Sequence, residues 1–199
     1  MKAYQINALG ARHLAIAARE LGTKLLHEST DYVFDDSKKQ PYLESDLAAP
    51  LNVYGNTKLA CEVFIRASAD RYFILRTSAL YGRHPCRAEG GRNFVELMLK
   101  LFREREELRV VDDEIVSPTS AAELAKQILV LSQTDHYGLY HATAEGSCSW
   151  YEFAKKIFEM ANVKTRLAVA LPNEFPAEIP RPKYSVWRTS DSRPWVLTL

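Results

Sequence analysis

Between Ala3 and Ala142 helix-period segments alternate with short apolar runs, and that alternation constrains the fold more than any other feature. The first segment runs from about Ala3 to Leu21, with Leu9, Leu14, Ala17, Ala18 and Leu21 on one side and Gly22 following as the residue past its end. Lys24 to Ser29 then reads as a strand, after the compact connection of an α/β unit. The pattern repeats. A helix over about Val53 to Asp70 precedes a buried strand at Tyr72–Arg76, and a helix over Asn93 to Glu107 precedes a strand at Leu108–Val111. Ser120 with Glu123 reads as a capping box opening a helix to about Leu131, followed by a strand at Gly138–Ala142. Ser149 with Glu152 is a second capping box, opening a helix to about Ala161. From Pro172 onward, prolines at 172, 176, 180, 182 and 194 leave a C-terminal lobe of short pieces. Alternating helix and strand predicts an α/β fold with a mostly parallel sheet.

Composition narrows the function classes. With 26 basic and 25 acidic residues among 199, the formal net charge is +1, which argues against binding to nucleic acid or a membrane surface. No stretch approaches 18 consecutive apolar residues, and the opening Met1-Lys2-Ala3-Tyr4-Gln5-Ile6-Asn7 lacks the apolar core of a secretory signal. Cys61, Cys86 and Cys148 are odd in number and far apart, as expected of reduced thiols in the cytoplasm. The eight glycines make neither G-x-G-x-x-G nor G-x-x-G-x-x-G nor a P-loop, so the chain carries no phosphate-cradling glycine loop.

In open parallel sheets ligands sit beyond the carboxyl ends of the strands. The first strand ends in Ser29-Thr30-Asp31-Tyr32, which places hydroxyls, a carboxylate and a phenol at such an edge. The following helix carries Tyr54 and Lys58, four residues apart and so on one face. A lysine cation one turn away favours the phenolate and makes the phenol a better proton donor, while Thr30 could hold a carbonyl oxygen beside it. A lone Tyr-x-x-x-Lys is a weak signal, and the sequence holds a second at Tyr151 and Lys155. That pair follows a capping box, and Gln127 stands where a counterpart of Thr30 would be, so Tyr151 reads as packing and Lys155 as solvated.

Context separates the Tyr54 pair. Ser29-Thr30-Asp31-Tyr32-Val33-Phe34-Asp35 and Pro50-Leu51-Asn52-Val53-Tyr54-Gly55-Asn56-Thr57-Lys58-Leu59-Ala60-Cys61-Glu62 resemble the dTDP-4-dehydrorhamnose reductase family of extended short-chain dehydrogenase/reductases. Arg76-Thr77-Ser78-Ala79-Leu80-Tyr81-Gly82, Asn93-Phe94, Ser117-Pro118-Thr119 and Arg181-Pro182-Lys183-Tyr184-Ser185-Val186 are similar to its later blocks, so the resemblance covers almost the whole chain in order. It implies a Rossmann-like doubly wound parallel sheet with a small C-terminal substrate lobe. Residues 1–142 would be the remaining part of the NAD(P)-binding domain, with a substrate-lobe insertion at about 83–104, and residues 143–199 the C-terminal lobe. It further implies reduction of the 4-keto group of a nucleotide-linked deoxysugar by NADPH or NADH, with Mg2+ allowed by the resemblance alone. Tyr54 would be the proton donor. Lys58 would lower its pKa and bind the nicotinamide ribose, Thr30 would hold the keto oxygen, and Asp31 and Tyr32 would line the sugar site.

Two departures matter. The family opens with a βαβ half bearing the glycine fingerprint, on the order of 80 residues, and this chain starts at the helix that follows it. The expectation is therefore an N-terminally truncated sheet with exposed apolar surface and a tendency to associate, as a homodimer or with a partner carrying the missing half. Ala79 stands where many members place a Trp that packs on the sugar, which puts dTDP-4-dehydrorhamnose itself in doubt as substrate.

Other residues have plainer readings. His27, alternating with Leu26 in a strand, reads as structural, and the Phe94, Phe102, Phe153 and Phe158 rings read as core. His84 with Cys86, and His136 with His141, lack the partners of a metal site, and Asp112-Asp113-Glu114 reads as a solvated loop. Asn93 is either a helix cap or a contact to the substrate nucleotide. Three alternatives to a reductase stand beside it. They are a non-catalytic sugar-nucleotide-binding protein resembling the regulatory subunit of methionine adenosyltransferase, an inactive fragment starting at an internal Met1, and an epimerase of the same superfamily.

Overall fold

The computed structural model describes residues 1–84, 91–171, 173–176 and 179–188, so Cys86 lies outside the described residues. A π-helical stretch, Tyr4–Leu9, runs into α1 (Gly10–Glu20), and β1 (Leu25–Thr30) leads through a single 3-10 turn, Asp31–Val33, to α2 (Val53–Ser68). There follow β2 (Tyr72–Thr77), β3 (Leu80–Tyr81), α3 (Phe94–Glu104), β4 (Glu107–Val110), β5 (Ile115–Val116), β6 (Thr119–Ser120) and α4 (Ala121–Ser132). The order closes with β7 (Gly138–His141), β8 (Cys148–Ser149), α5 (Trp150–Met160), β9 (Arg166–Val169) and β10 (Tyr184–Ser185).

The site is positioned by a parallel sheet in the order β1-β2-β7, with Thr30 opposite Thr77 and Arg76 opposite His141. Successive strand residues point to opposite faces, and both faces are covered. Ile74, with the half-buried Leu25, Tyr72 and Leu139, packs against Ala11 and Ala15 of α1 and Cys61 and Ile65 of α2. Phe73, Leu75, Tyr140 and Ala142 pack against Leu124 and Leu131 of α4 on the other side. This is the helix-covered parallel layer that the alternation predicts.

The first helix buries a different stripe from the expected one. Ala8, Ala11, Ala15 and Ala18 face inward, while Leu14 and Leu21 are 59% and 79% exposed, and Leu9 and Ala17 also face out. The alanines carry only a Cβ, which lets α1 approach α2 closely; branched side chains on that stripe would hold the helices apart. Among the described residues, β1 pairs only with β2.

A second apolar cluster forms around another parallel pair of strands. β4 and β9 pair in parallel, and α3 and α5 cover them with Met98, Leu108, Val110, Ala154, Ile157 and Phe158, joined by Phe94, Phe102 and Phe153. The four phenylalanines are thus core or core margin, Tyr151 packs beside them, and Lys155 is exposed, as the sequence suggests. The strand β9 and the two-residue strands have no sequence signal of their own.

Asn93 and Ser149 each close a capping box, with Glu96 and Glu152. Ser120 does not. It flanks α4 without a side-chain cap bond, and Glu123 turns to Lys126 at 2.6 Å instead of reaching back. Ser120 is held as a β6 residue opposite Tyr81, so its backbone is fixed by pairing rather than by a cap.

Candidate active site

Four segments meet at the carboxyl end of β1: its own Ser29 to Tyr32, the first turns of α2, the Ser78–Ala79 turn after β2, and the C-terminal stretch from Pro180 to Trp187. Asn52 starts α2, its side-chain oxygen accepting from the Gly55 amide at 2.8 Å, and its Nδ2 donates to the Pro180 carbonyl at 2.8 Å. One side chain thereby caps the helix and ties the C-terminal stretch to it.

From that cap Tyr54, Lys58 and Glu62 recur every four residues along one side of α2. Tyr54 is 47% exposed and meets Tyr32 edge-on, with ring centroids 5.5 Å apart. Burial of its inner side pushes the phenol above its usual pKa, and the Thr30 hydroxyl, within hydrogen-bonding reach, works the other way. The expected lowering by Lys58 is not what this structure shows. The ammonium instead donates to the Glu28 carbonyl at 2.5 Å and lies 3.3 Å from His27 Nε2. Burial pulls the Lys58 pKa down. The phenol is therefore protonated at neutral pH, which is the state a proton donor needs.

Asp31 departs from its expected role. Its carboxylate is buried and accepts from the hydroxyls of Thr30 at 2.9 Å, Ser78 at 3.0 Å and Ser185 at 2.6 Å. It fastens β1, the end of β2 and β10 together rather than facing a sugar. Burial raises its pKa, against the three hydroxyls. Tyr32 is half-buried, its phenol pushed up by burial and pulled back by the Arg181 guanidinium. Ala79 sits in the turn after β2 at φ 45°, a left-handed conformation uncommon for a residue with a Cβ. Asn93 resolves as a cap: its Oδ1 accepts from the Glu96 amide at 3.2 Å and its Nδ2 donates to the Gly82 carbonyl at 2.8 Å.

The structure thus brings Thr30, Tyr32, Tyr54 and Lys58 together, buries Asp31 behind them and uses Asn93 elsewhere. Ser78 and Ser185 sit in two of the quoted blocks, but their joint hold on Asp31 depends on contacts 47 and 154 positions apart, which no local pattern reveals. Arg181 also stands in a quoted block. It lines a cleft of about 550 Å³ with Glu114, Leu171, Phe175, Pro180 and Lys183. Arg181 and Glu114 both act electrostatically on Tyr32, so the cleft opens beside the Tyr54 cluster. A larger open hollow between the ends of α3 and α5, about 680 Å³, touches none of these residues. No three His, Cys, Asp or Glu side chains gather as a metal site among the described residues. Nor, among the described residues, is any helix long and apolar enough to cross a membrane.

A parallel sheet covered on both faces, with a Tyr–Lys helix at its carboxyl edge, defines a Rossmann-like α/β protein of the short-chain dehydrogenase/reductase kind. Comparison with known proteins agrees: the chain belongs to the family described as RmlD substrate binding domain, which matches residues 1–197. It is 42% identical over 185 residues to the spore coat polysaccharide biosynthesis protein SpsK of Bacillus subtilis, covering 93% of this chain and 63% of that protein. It is also 42% identical over 171 residues to the dTDP-4-dehydrorhamnose reductase of Escherichia coli, covering 83% and 55%. Among solved structures, dTDP-4-dehydrorhamnose reductase from Bacillus anthracis in complex with NADP superimposes with a TM-score of 0.86 at 47% identity, covering 92% of this chain and 63% of that one. The chain therefore spans less than two thirds of the length of these relatives.

Proposed function

We propose that this chain carries the proton-donor and sugar-nucleotide end of an NADPH-dependent reductase acting on the 4-keto group of a nucleotide-linked deoxysugar in the cytoplasm. The observation that supports it most is the convergence of the Thr30 hydroxyl and the protonated Tyr54 phenol beside Lys58 at the carboxyl edge of the sheet. The chain's residues fit the nicotinamide end of the cofactor. Two of the three Lys58 donors are engaged, leaving one for a ribose hydroxyl, and Tyr54 stands on the same side of α2. The pyrophosphate end has no glycine loop here, and a partner or a longer chain would supply it.

A bound reduced nicotinamide supplies a hydride to the keto carbon. The Thr30 hydroxyl turns its one proton from Asp31 Oδ1 to the keto oxygen and holds it there, and Tyr54 gives that oxygen its proton, so ketone becomes alcohol and the phenol is left as phenolate until reprotonated. Lys58 stabilises the charge as it forms. The nucleotide lies in the cleft beside Tyr32, where Arg181 offers a cation to a diphosphate while Lys183 is held by Asp113 at 2.6 Å.

The test is a fluorescence titration with NADPH, alone and with the N-terminal segment of the E. coli relative added in trans, followed by NADPH consumption on 4-keto-6-deoxy sugar nucleotides. Saturable binding and turnover are expected at least in the complemented form, with Tyr54→Phe lowering turnover about 10²- to 10⁴-fold while NADPH binding holds. A Tyr54→Phe protein with full activity overturns the reading. Ala79, which offers no ring surface in the turn after β2, favours one other reading, a sugar-nucleotide-binding module; binding of the sugar nucleotide without any turnover, even when complemented, would establish it.

A further inference from the structure

We propose that His27 is the positioning residue of Lys58, an uncharged acceptor that aims the ammonium without neutralising it. The proposal rests on the reading of Tyr54 and Lys58 given above. Strand alternation places His27 on the α1/α2 face of β1, between Leu25, which packs in the core there, and Ser29, which donates to Glu62 at 2.5 Å. Its Nε2 lies 3.3 Å from Lys58 Nζ. An ammonium has donors only, so Nε2 must be the bare, accepting nitrogen and the ring proton must sit on Nδ1. Burial first, and the Lys58 charge second, keep the ring neutral down to about pH 4.

The surroundings explain why a neutral acceptor matters. Two carboxylates act on the ammonium from a distance, that of Glu28, next to His27 on β1, and that of Glu62, one turn further along α2. Arg76 takes Glu62 in a two-pronged pair, Nε to Oε1 at 2.9 Å and Nη2 to Oε2 at 2.8 Å, and Ser29 adds a third bond. Cys61, also close, has its thiol pushed up to about 11 by burial and so remains uncharged. The other partner of Lys58 is a backbone carbonyl, that of Glu28. Both groups that the ammonium contacts are thus neutral. A carboxylate in place of His27 would draw the ammonium into an ion pair and cancel the field that a phenolate on Tyr54 needs. A hydrocarbon there would leave the ammonium one acceptor short and free to swing.

The experiment follows the imidazole nitrogens and the Lys58 methylene beside the amine by NMR across pH, in the chain itself and in His27→Gln, His27→Leu and Lys58→Met. Gln keeps an acceptor of similar reach; Leu keeps apolar bulk and removes it. The expected results are an Nδ1–H tautomer in the native chain and, in Lys58→Met, a titration moved upward towards ordinary histidine. His27→Leu should lower the Lys58 titration midpoint by roughly one pH unit, a tenfold change in the deprotonated fraction, and His27→Gln should restore it. An Nε2–H tautomer in the native chain, or identical Lys58 titrations in the Leu and Gln variants, overturns the proposal, and the tautomer measurement needs no variant to fold. In the complemented enzyme, His27→Leu should cut turnover about tenfold with Gln recovering it. If the NMR signature holds while Tyr54→Phe stays fully active, the contact stands and the reading of the site fails.

Discussion

A Cβ built on Gly55 would lie 2.1 Å from the Tyr32 carbonyl oxygen and 2.9 Å from Pro50 Cβ. Tyr54 can stand beside Thr30 because its neighbour has no side chain, and the first turn of α2 touches the backbone of the Tyr32 turn. Gly55→Ala must push two backbone segments apart. The expected cost is about 1–3 kcal/mol, read as a fall in the urea midpoint, together with loss of the edge-on Tyr32–Tyr54 contact. An Ala variant as stable as the native chain would show that the turn has room the structure does not give it. At this scale the sequence named Thr30, Tyr32, Tyr54 and Lys58 as a group, because residue type and strand-end or helix-face position suffice for that. It assigned Asp31 to the sugar and left Ser185 without a role. A carboxylate at a strand end looks the same whether it meets a ligand or three hydroxyls, and two of those hydroxyls, from Ser78 and Ser185, come from distant parts of the chain.

The helices differ in how their starts are held. Asn52 and Ser149 accept backbone N–H bonds at the heads of α2 and α5, whereas Ser120 makes no such bond at the head of α4. Asn52→Ala and Ser149→Ala should each lose about 1 kcal/mol, within the 0.5–2 kcal/mol span of lost caps. Ser120→Ala should change stability by less than about 0.5 kcal/mol. Chemical denaturation of the three variants separates them; equal losses at all three would refute the distinction. Asn52→Ala should also release the Pro180 carbonyl and weaken sugar-nucleotide binding in the cleft. The elements were largely legible, since apolar periodicity and Gly or Pro stops mark the long helices and central strands. The inward stripe of α1 was not. Alanine and leucine stripes are both apolar, and only close contact with α2 selects the smaller one.

Over the whole molecule, the C-terminal stretch is closed onto the sheet by a buried aromatic joint. His141 lies tilted against Trp187 with ring centroids 4.4 Å apart and meets Phe34 edge-on at 5.9 Å, while Tyr42 bridges to the 186–188 backbone. Burial, and next the Arg76 charge, lower the His141 pKa to about 3. The ordinary imidazole value is near 6.5, so the unfolded chain takes up this proton first. The stability His141 contributes is full above about pH 6.5 and is lost as pH falls towards 3, at up to about 1.4 kcal/mol per pH unit. His27 acts in the same direction. Asp31 acts in the opposite one, since its raised pKa gives a contribution full below the ordinary carboxylate range and lost as pH rises through its own value. His141→Phe keeps a ring against Trp187 and should flatten the fall in urea midpoint between about pH 7 and pH 5. An unchanged slope would place the acid sensitivity elsewhere.

The sequence by itself determined the α/β alternation, the parallel layer and the Thr30–Tyr54–Lys58 grouping, because each follows from local periodicity, helix geometry and residue chemistry. Tertiary structure alone decided what Asp31 holds, that Lys58 leans on His27 rather than on Tyr54, and where the C-terminal stretch lands. Those outcomes depend on side chains dozens of positions apart competing for the same few hydrogen bonds and the same buried space. That competition is settled only when the whole chain is packed.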